Sequence, residues 1–290
     1  MSIQRRISKI VKTPTPEPGF MGAGHEAVMV VNPAEYAHND PFIALMDDRV
    51  DRPEGPLGGA HPHAGFETVT LMIEGSIKDR DEGPLHAGDA LWMTAGSGVI
   101  HNEEVVAIGK VRLLQLWLTL PRKERWAEPR FERVVGEDAP VRRGPGSEVR
   151  LYSGAMGDLR SPTKNHVPVT LAEVRLERGA HTELELPTAY NVFVYVVEGT
   201  ARLGADGAPL RQGQVGWLDR PHAEGESVLK AVAGHDGARL LVYAGLPTGD
   251  QIVVQGPFVG DTKQDITRVY QEYLAGGFPR MSELAQPAQA

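Results

Sequence analysis

Short apolar runs bounded by turn residues recur along this chain. Residues Phe66 to Glu74 (FETVTLMIE) are rich in β-branched and apolar side chains, and Gly75 ends the run. Ala90 to Thr94, Val111 to Leu120, Val169 to Leu176, Asn191 to Val197 and Leu240 to Ala244 are runs of the same kind. Strands this short, with Gly turns between them, predict a β-sandwich or barrel. One segment follows a different period. Between Asp261 and Leu274 the apolar residues Ile266, Val269, Tyr270, Tyr273 and Leu274 fall at the spacing of one helix face. Asp261 or Thr262 can cap its start and Gly276 can end it. A packing helix is expected there, with a loose tail after Arg280.

The strand pattern also repeats. VTLMIEGSIKDRDEGPLHAGDALWM, from Val69, parallels VFVYVVEGTARLGADGAPLRQGQVGWL, from Val192. Glu74-Gly75 aligns with Glu198-Gly199, Pro84-Leu85 with Pro209-Leu210, Gly88 with Gly213 and Trp92 with Trp217. The offset is 124 at the first pair and 125 afterwards, so one inserted residue reconciles them. Each unit reads as strand, Gly turn, strand, Pro-Leu-x-x-Gly turn and a Trp-bearing strand, which points to duplication. The join is expected in Glu128 to Ser147, a charged stretch with three Pro and three Gly.

Composition narrows the chemistry. With 290 residues and 41% hydrophobic content the chain can bury two cores of ordinary size. A formal charge of −8 argues against a broad phosphate-gripping face, so direct nucleic-acid binding is not expected. There is no cysteine, which excludes disulfides, thiolate zinc sites, iron–sulfur clusters and a Cys nucleophile. Any metal must use His and carboxylate ligands. The basic N-terminus lacks the apolar core of a signal peptide, and no stretch approaches the ~18 apolar residues of a membrane span. A cytoplasmic location with no membrane partner is expected.

Against that background two pairs stand out. His61-Pro-His63 directly precedes the strongest strand, and His101-Asn-Glu103 follows some forty residues later. Residues two apart on an extended segment point the same way. Pro62 fixes its own φ and biases His61 towards an extended backbone. Two such pairs on separate strands can converge inside a barrel on one divalent metal ion. Three imidazoles and a carboxylate suit iron, and also nickel, cobalt, manganese, copper or zinc. His86, His166 and His235 have no such company and are expected to be ordinary surface residues.

HPHAGFETVTLMIEG (His61 to Gly75) with GDALWMTAGSGVIHNE (Gly88 to Glu103) resembles the signature of the pirins, a family of bicupins. LLQLWLTLPRKER (Leu113 to Arg125) and GPFVGDT (Gly256 to Thr262) resemble pirin segments as well. The resemblance implies an all-β fold of two tandem cupin barrels, of the double-stranded β-helix or jelly-roll type, with a short C-terminal helix. Residues 1–130 would form the metal-binding barrel. Residues 131–290 would form a second barrel with a degenerate site, plus the helix. The implied ligands are His61, His63, His101 and Glu103, with Fe(II) as the first choice of ion. Glu67 is a second carboxylate of the same apparent parity as the histidines. The pirin pattern uses Glu103, which leaves Glu67 as a partner that orients an imidazole or as an ordinary buried carboxylate.

The family implies two kinds of function. One is a quercetin 2,3-dioxygenase that opens a flavonol with O2 and releases carbon monoxide. In that case Glu103 doubles as a carboxylate base, and Phe66, Trp92, Met72 and Met93 are candidate cavity residues. The alternative is a non-enzymatic regulatory protein that carries the metal and binds a protein partner. The chain departs from the pirin pattern at Ala64 and Ser97, where Arg is common, which removes two cations expected at the pocket mouth. A weaker second metal site is conceivable at His181, Glu183, His222 and Glu224, although the second half has no HxH.

Overall fold

The computed structural model describes residues 2–19, 21–52, 55–79, 83–101, 105–107 and 109–284, with backbone alone at 55–57, 79 and 105. The chain forms two compact β units. One is Thr15–Glu137 with Thr248–Ala290, and the other is Met1–Pro14 with Asp138–Pro247. Relative to the expected halves 1–130 and 131–290, both chain ends belong to the other unit. The physical reason is edge pairing, which is non-local and invisible to periodicity. Ile7–Lys12 pairs antiparallel with Gln214–Leu218 and covers an exposed strand edge there. The amphipathic pattern of the C-terminal helix fixes which face it buries but not which barrel receives it.

The first unit holds a seven-stranded sheet. Its order is Arg130–Val134, Ala90–Thr94, Phe66–Glu74, Lys110–Thr119, Phe42–Asp51, His25–Val31 and Glu17–Pro18. A four-stranded sheet of Gly83–His86, Ser76–Asp79, Val105–Ala107 and Gly55–Leu57 accompanies it. Met72, Leu91, Met93 and Leu113 of the first sheet cluster with Ile77, Leu85 and Ala107 of the second, so these faces enclose the barrel interior.

The helix Lys263–Leu274 also lies in this unit. Thr262 and Asp265 close a reciprocal capping box at its start. Ile266 and Val269 bury against Ala64, Phe258 and Phe278. Of the segment expected to be loose, the residues directly after Arg280 are anchored. Arg280 bridges Ile100, and Met281 is buried in the barrel core. Residues 285–290 lie outside the described residues.

The second unit is a ten-stranded sheet whose interior is filled by Leu184, Leu186, Leu203, Leu229, Val194, Val196 and their neighbours. The internal echo is visible in its hydrogen bonds. Ala87 donates to the Gly75 carbonyl as Gln212 does to that of Gly199, and Gly88 donates to Met72 as Gly213 does to Val196. The His86 amide donates to Asp89, and the Arg211 amide to Gln214. Gly75 (φ 77°) and Gly199 (φ 72°) turn the chain at matching points. A Cβ at either would collide with a carbonyl, of Lys110 or of Gly237. Glycine is therefore required twice for the same reason. Among the described residues no helix is long and apolar enough to cross a membrane.

Candidate metal centre

His61–His63 forms a short strand paired antiparallel with Val99–His101, with His61 opposite His101 and His63 opposite Val99. Cross-strand partners share a face, and so do residues two apart, so this register gathers all three imidazoles. The ring centroids of His61 lie 4.8 Å from His63 and 4.3 Å from His101. His61 Nε2 is 3.1 Å from His63 Nε2 and 2.9 Å from His101 Nε2. His63 and His101 are buried and His61 is half-buried.

A shared cation accounts for this arrangement. His61 Nδ1 lies 2.9 Å from the Gly59 carbonyl, which can only accept, so Nδ1 carries the proton. In the neutral ring Nε2 then holds a single lone pair, and two other Nε2 atoms crowd it. One cation facing three lone pairs resolves the conflict. Two nitrogens held about 2.1 Å from one ion at a right angle stand about 3.0 Å apart, against about 3.4 Å at a tetrahedral angle. The two separations made by His61 Nε2, 3.1 and 2.9 Å, match the smaller value. Burial holds His63 well below the usual imidazole pKa, and His101 and His61 push the same way; only the Pro257 carbonyl favours its protonated form. His63 is thus kept neutral, as a ligand must be. These three residues form the one such cluster among the described residues.

Glu103, the expected fourth ligand and base, lies outside the described residues; His101 ends the strand that leads to it. Glu67 does not share the histidines' parity. Gly65 (φ 85°) breaks the strand after Ala64 and restarts the alternation at Phe66. The Phe66 ring packs on His63 at 5.1 Å, so Glu67 points to the opposite face of its strand, where it accepts a 2.7 Å hydrogen bond from Thr94. Trp92 pairs with Val69 and shares that opposite face, whereas Met72 and Met93 are interior.

The interior residues that periodicity alone did not single out are Trp117, Gln115, Thr70 and Met46. Trp117 meets His63 edge-on (5.6 Å) and lies tilted against Phe66 (4.4 Å). One register step deeper, Gln115 pairs with Thr70 on one side and Met46 on the other. All four keep partial solvent exposure, although the alternate residues Leu45, Leu71, Leu114 and Leu116 are buried. Central-strand residues stay wet on an inward face only where the interior is hollow. Solvent therefore reaches this inward face, along a row that runs from the histidines past Trp117 to the polar pair Gln115 and Thr70. The alternation of strand 110–119 groups residues 113, 115 and 117, but the cross-strand register is needed to say that their face is interior.

Two further expectations are corrected. Ala64 is fully buried under Phe258 and helix 263–274, so its side chain is not at a pocket mouth; Ser97 is exposed in a turn. The second-site residues His181, Glu183, His222 and Glu224 are all exposed, because strand His181–Pro187 turns Leu184 and Leu186 inward instead. They do not gather as a ligand cluster.

Comparison with known proteins agrees with this architecture. Sequence profiles described as Pirin and as Pirin C-terminal cupin domain match residues 28–118 and 171–279. A pirin-like protein of Solanum lycopersicum is 31% identical over 252 residues, covering 85% of each chain. A Pseudomonas aeruginosa protein that bears the provisional name quercetin 2,3-dioxygenase is 32% identical over 288 residues, covering 93% of this chain and 98% of that one. The crystal structure of a quercetin 2,3-dioxygenase from Acinetobacter baumannii superposes with a TM-score of 0.81 at 25% identity, covering 94% of this chain and 98% of the other.

Proposed function

This chain belongs to the pirin family of bicupins, and on that footing we propose that it is a metal-dependent dioxygenase acting on flavonols of the quercetin type. The observation that carries the reading is the convergence of three Nε2 atoms at the head of a partly exposed inward face that Trp117 borders. The quercetin dioxygenase names borne by the Pseudomonas relative and the Acinetobacter structure support the choice of substrate class.

His61, His63 and His101 hold the ion in this reading, with Glu103 as the fourth ligand and Fe(II) as the resident metal. When bound, the ion supplies Lewis acidity to the flavonol 3-hydroxyl. Glu103 takes the hydroxyl proton as a carboxylate base. Trp117, backed by Phe66 at 4.4 Å, edge-packs the flat ring system, an arrangement aromatic rings favour. Gln115 offers its amide N–H groups to an oxygen at the far end of the substrate, its own carbonyl being engaged by Thr70. Both atoms of O2 end in the opened ester product, and one ring carbon leaves as carbon monoxide.

The test is direct. Iron-loaded protein is given quercetin in an oxygen electrode, with loss of the flavonol absorbance and carbon monoxide release followed together. Protein that binds iron but neither consumes O2 nor bleaches quercetin would sink the proposal and leave partner binding as the function to pursue. His61→Ala should abolish whatever activity is found.

A further inference from the structure

Both histidine strands are bordered by chain that arrives from residues 253–281. Val253–Gln255 and Phe258–Gly260 form a hairpin turning through Gly256 (φ 54°) and Pro257, a combination that suits a type II′ turn. The Pro257 carbonyl accepts from the Ala64 amide at 3.3 Å, and the Val259 amide donates to the Ala64 carbonyl at 2.9 Å. At the other strand, the Ile100 amide donates to the Pro279 carbonyl at 2.8 Å. The fit has no slack. A Cβ on Gly65 would collide with the Val259 carbonyl, and one on Gly98 with the Phe278 ring.

One cation ties this border to the histidines. Arg125 is fully buried. Its Nη1 donates to the Gly65 carbonyl and to Thr119 Oγ1, each at 3.1 Å, and its Nε donates to Asp261 Oδ1 at 2.9 Å. The rigid guanidinium fork thus joins the turn after His63, the end of the Trp117 strand and the residue just ahead of the capped helix.

We propose that Arg125 and Asp261 are positioning residues for the histidine centre, latching residues 253–281 onto the His61–His63 and Val99–His101 strands. The latch sets the spacing of the three Nε2 atoms. It rests on the reading of the centre as a metal site. With the latch broken, the imidazoles sample a wider set of separations, and an ion binds the less ordered set more weakly. Groups that orient metal ligands typically change affinity by about 10–100-fold.

Co(II) serves as the probe, because its visible bands report ligand geometry independently of turnover. Affinity is measured by chelator competition for the full chain, for Asp261→Asn and for the control Glu272→Gln, which removes an exposed helix pair. The expected result is a loss of about tenfold or more in Co(II) affinity with altered bands for Asp261→Asn, and wild-type behaviour for Glu272→Gln. Amide exchange on the unaltered protein provides a measurement that does not depend on variants folding. Co(II) should slow exchange at Ala64, Ile100 and Val259 together, since coupling between sites is reciprocal. Wild-type affinity and bands in Asp261→Asn, or exchange at those amides indifferent to Co(II), overturn the latch alone. Wild-type protein that takes up no Co(II) overturns the metal reading and the latch with it.

Discussion

Thr70 Oγ1 donates a 2.7 Å hydrogen bond to Gln115 Oε1 across neighbouring strands of the first barrel. The pair engages the Gln115 carbonyl and leaves its NH2 group to face the partly exposed interior. Gln115 lies one register step deeper than Trp117, which packs beside His63. It is therefore well placed to meet the end of a substrate remote from the ion.

Replacing Gln115 by Leu should weaken flavonol binding about fivefold, the equivalent of one neutral hydrogen bond of about 1 kcal/mol. The loss should appear in KM, with kcat nearly unchanged, because the contact serves ground state and transition state alike. Metal content should not change. A variant with full substrate affinity would show that the Gln115 amide is not part of the binding surface.

Much of the fold was legible in the sequence for a physical reason: strands and turns are local. The repeat was readable because Gly75 and Gly199 answer the same steric demand, and the histidine spacing because strand parity holds within three residues. Parity failed across Gly65, where a positive φ restarts the alternation and turns Glu67 away from the histidines. The placement of helix 263–274 and of strand Ile7–Lys12 was not readable, since both depend on partners far along the chain. Trp117 and Gln115 were missed because only cross-strand register distinguishes an inward face from an outward one.

Tyr36 offers a test of how the C-terminal segment is anchored. Its hydroxyl donates to Asp40 Oδ1 at 3.1 Å, and Asp40 also accepts from the Thr248 and Gly249 amides where the chain re-enters this unit. Burial is the main cause that pushes the Tyr36 phenol up to about 12, with the Asp40 charge acting in the same direction. The folded state thus keeps this proton to higher pH than the unfolded chain, whose phenol titrates near about 10. The contribution to stability is complete below pH 10 and is lost as pH rises through about 12. A shift of this size corresponds to about 3 kcal/mol. Denaturant titrations of the native protein and of Tyr36→Phe should converge across that alkaline window. Parallel pH profiles would contradict the anchor.

Metal removal should be visible in stability. An ion present at a hundredfold over its dissociation constant stabilises by about 2.7 kcal/mol, and chelation should then lower the melting temperature by about 5–10 °C for a unit of this size. The stripped protein should also be acid-sensitive. Burial keeps His63 neutral well below the ordinary imidazole range, whereas an unfolded histidine takes up a proton near about 6.5. The unfolded state binds more protons below that pH, so stability falls on acidification by up to about 1.4 kcal/mol per pH unit. Calorimetry with and without chelator, at pH 7.5 and 5.5, measures both effects. Identical melts in all four conditions would remove the case for an ion at this centre.

The choice between the two carboxylates can be settled by one pair of variants. Glu67 faces away from the ring of Phe66 that touches His63, and it is held by Thr94. Glu67→Gln keeps an acceptor for that hydroxyl, so metal affinity should stay within about twofold of wild type and stability should fall by about 1–2 kcal/mol. Glu103 follows His101 by two residues and serves in the proposed function as both ligand and base. Glu103→Gln removes an anion from the ion and the base from the substrate at once. Metal affinity should fall by at least about tenfold, and kcat by about 10²–10⁴-fold, the usual worth of a general base. Restoring full metal occupancy with excess ion separates the two roles, since lost affinity is then compensated and the missing base is not. If occupancy restores turnover in full, Glu103 is a ligand only. If Glu67→Gln loses the metal while Glu103→Gln keeps it, the assignment of the fourth ligand is reversed.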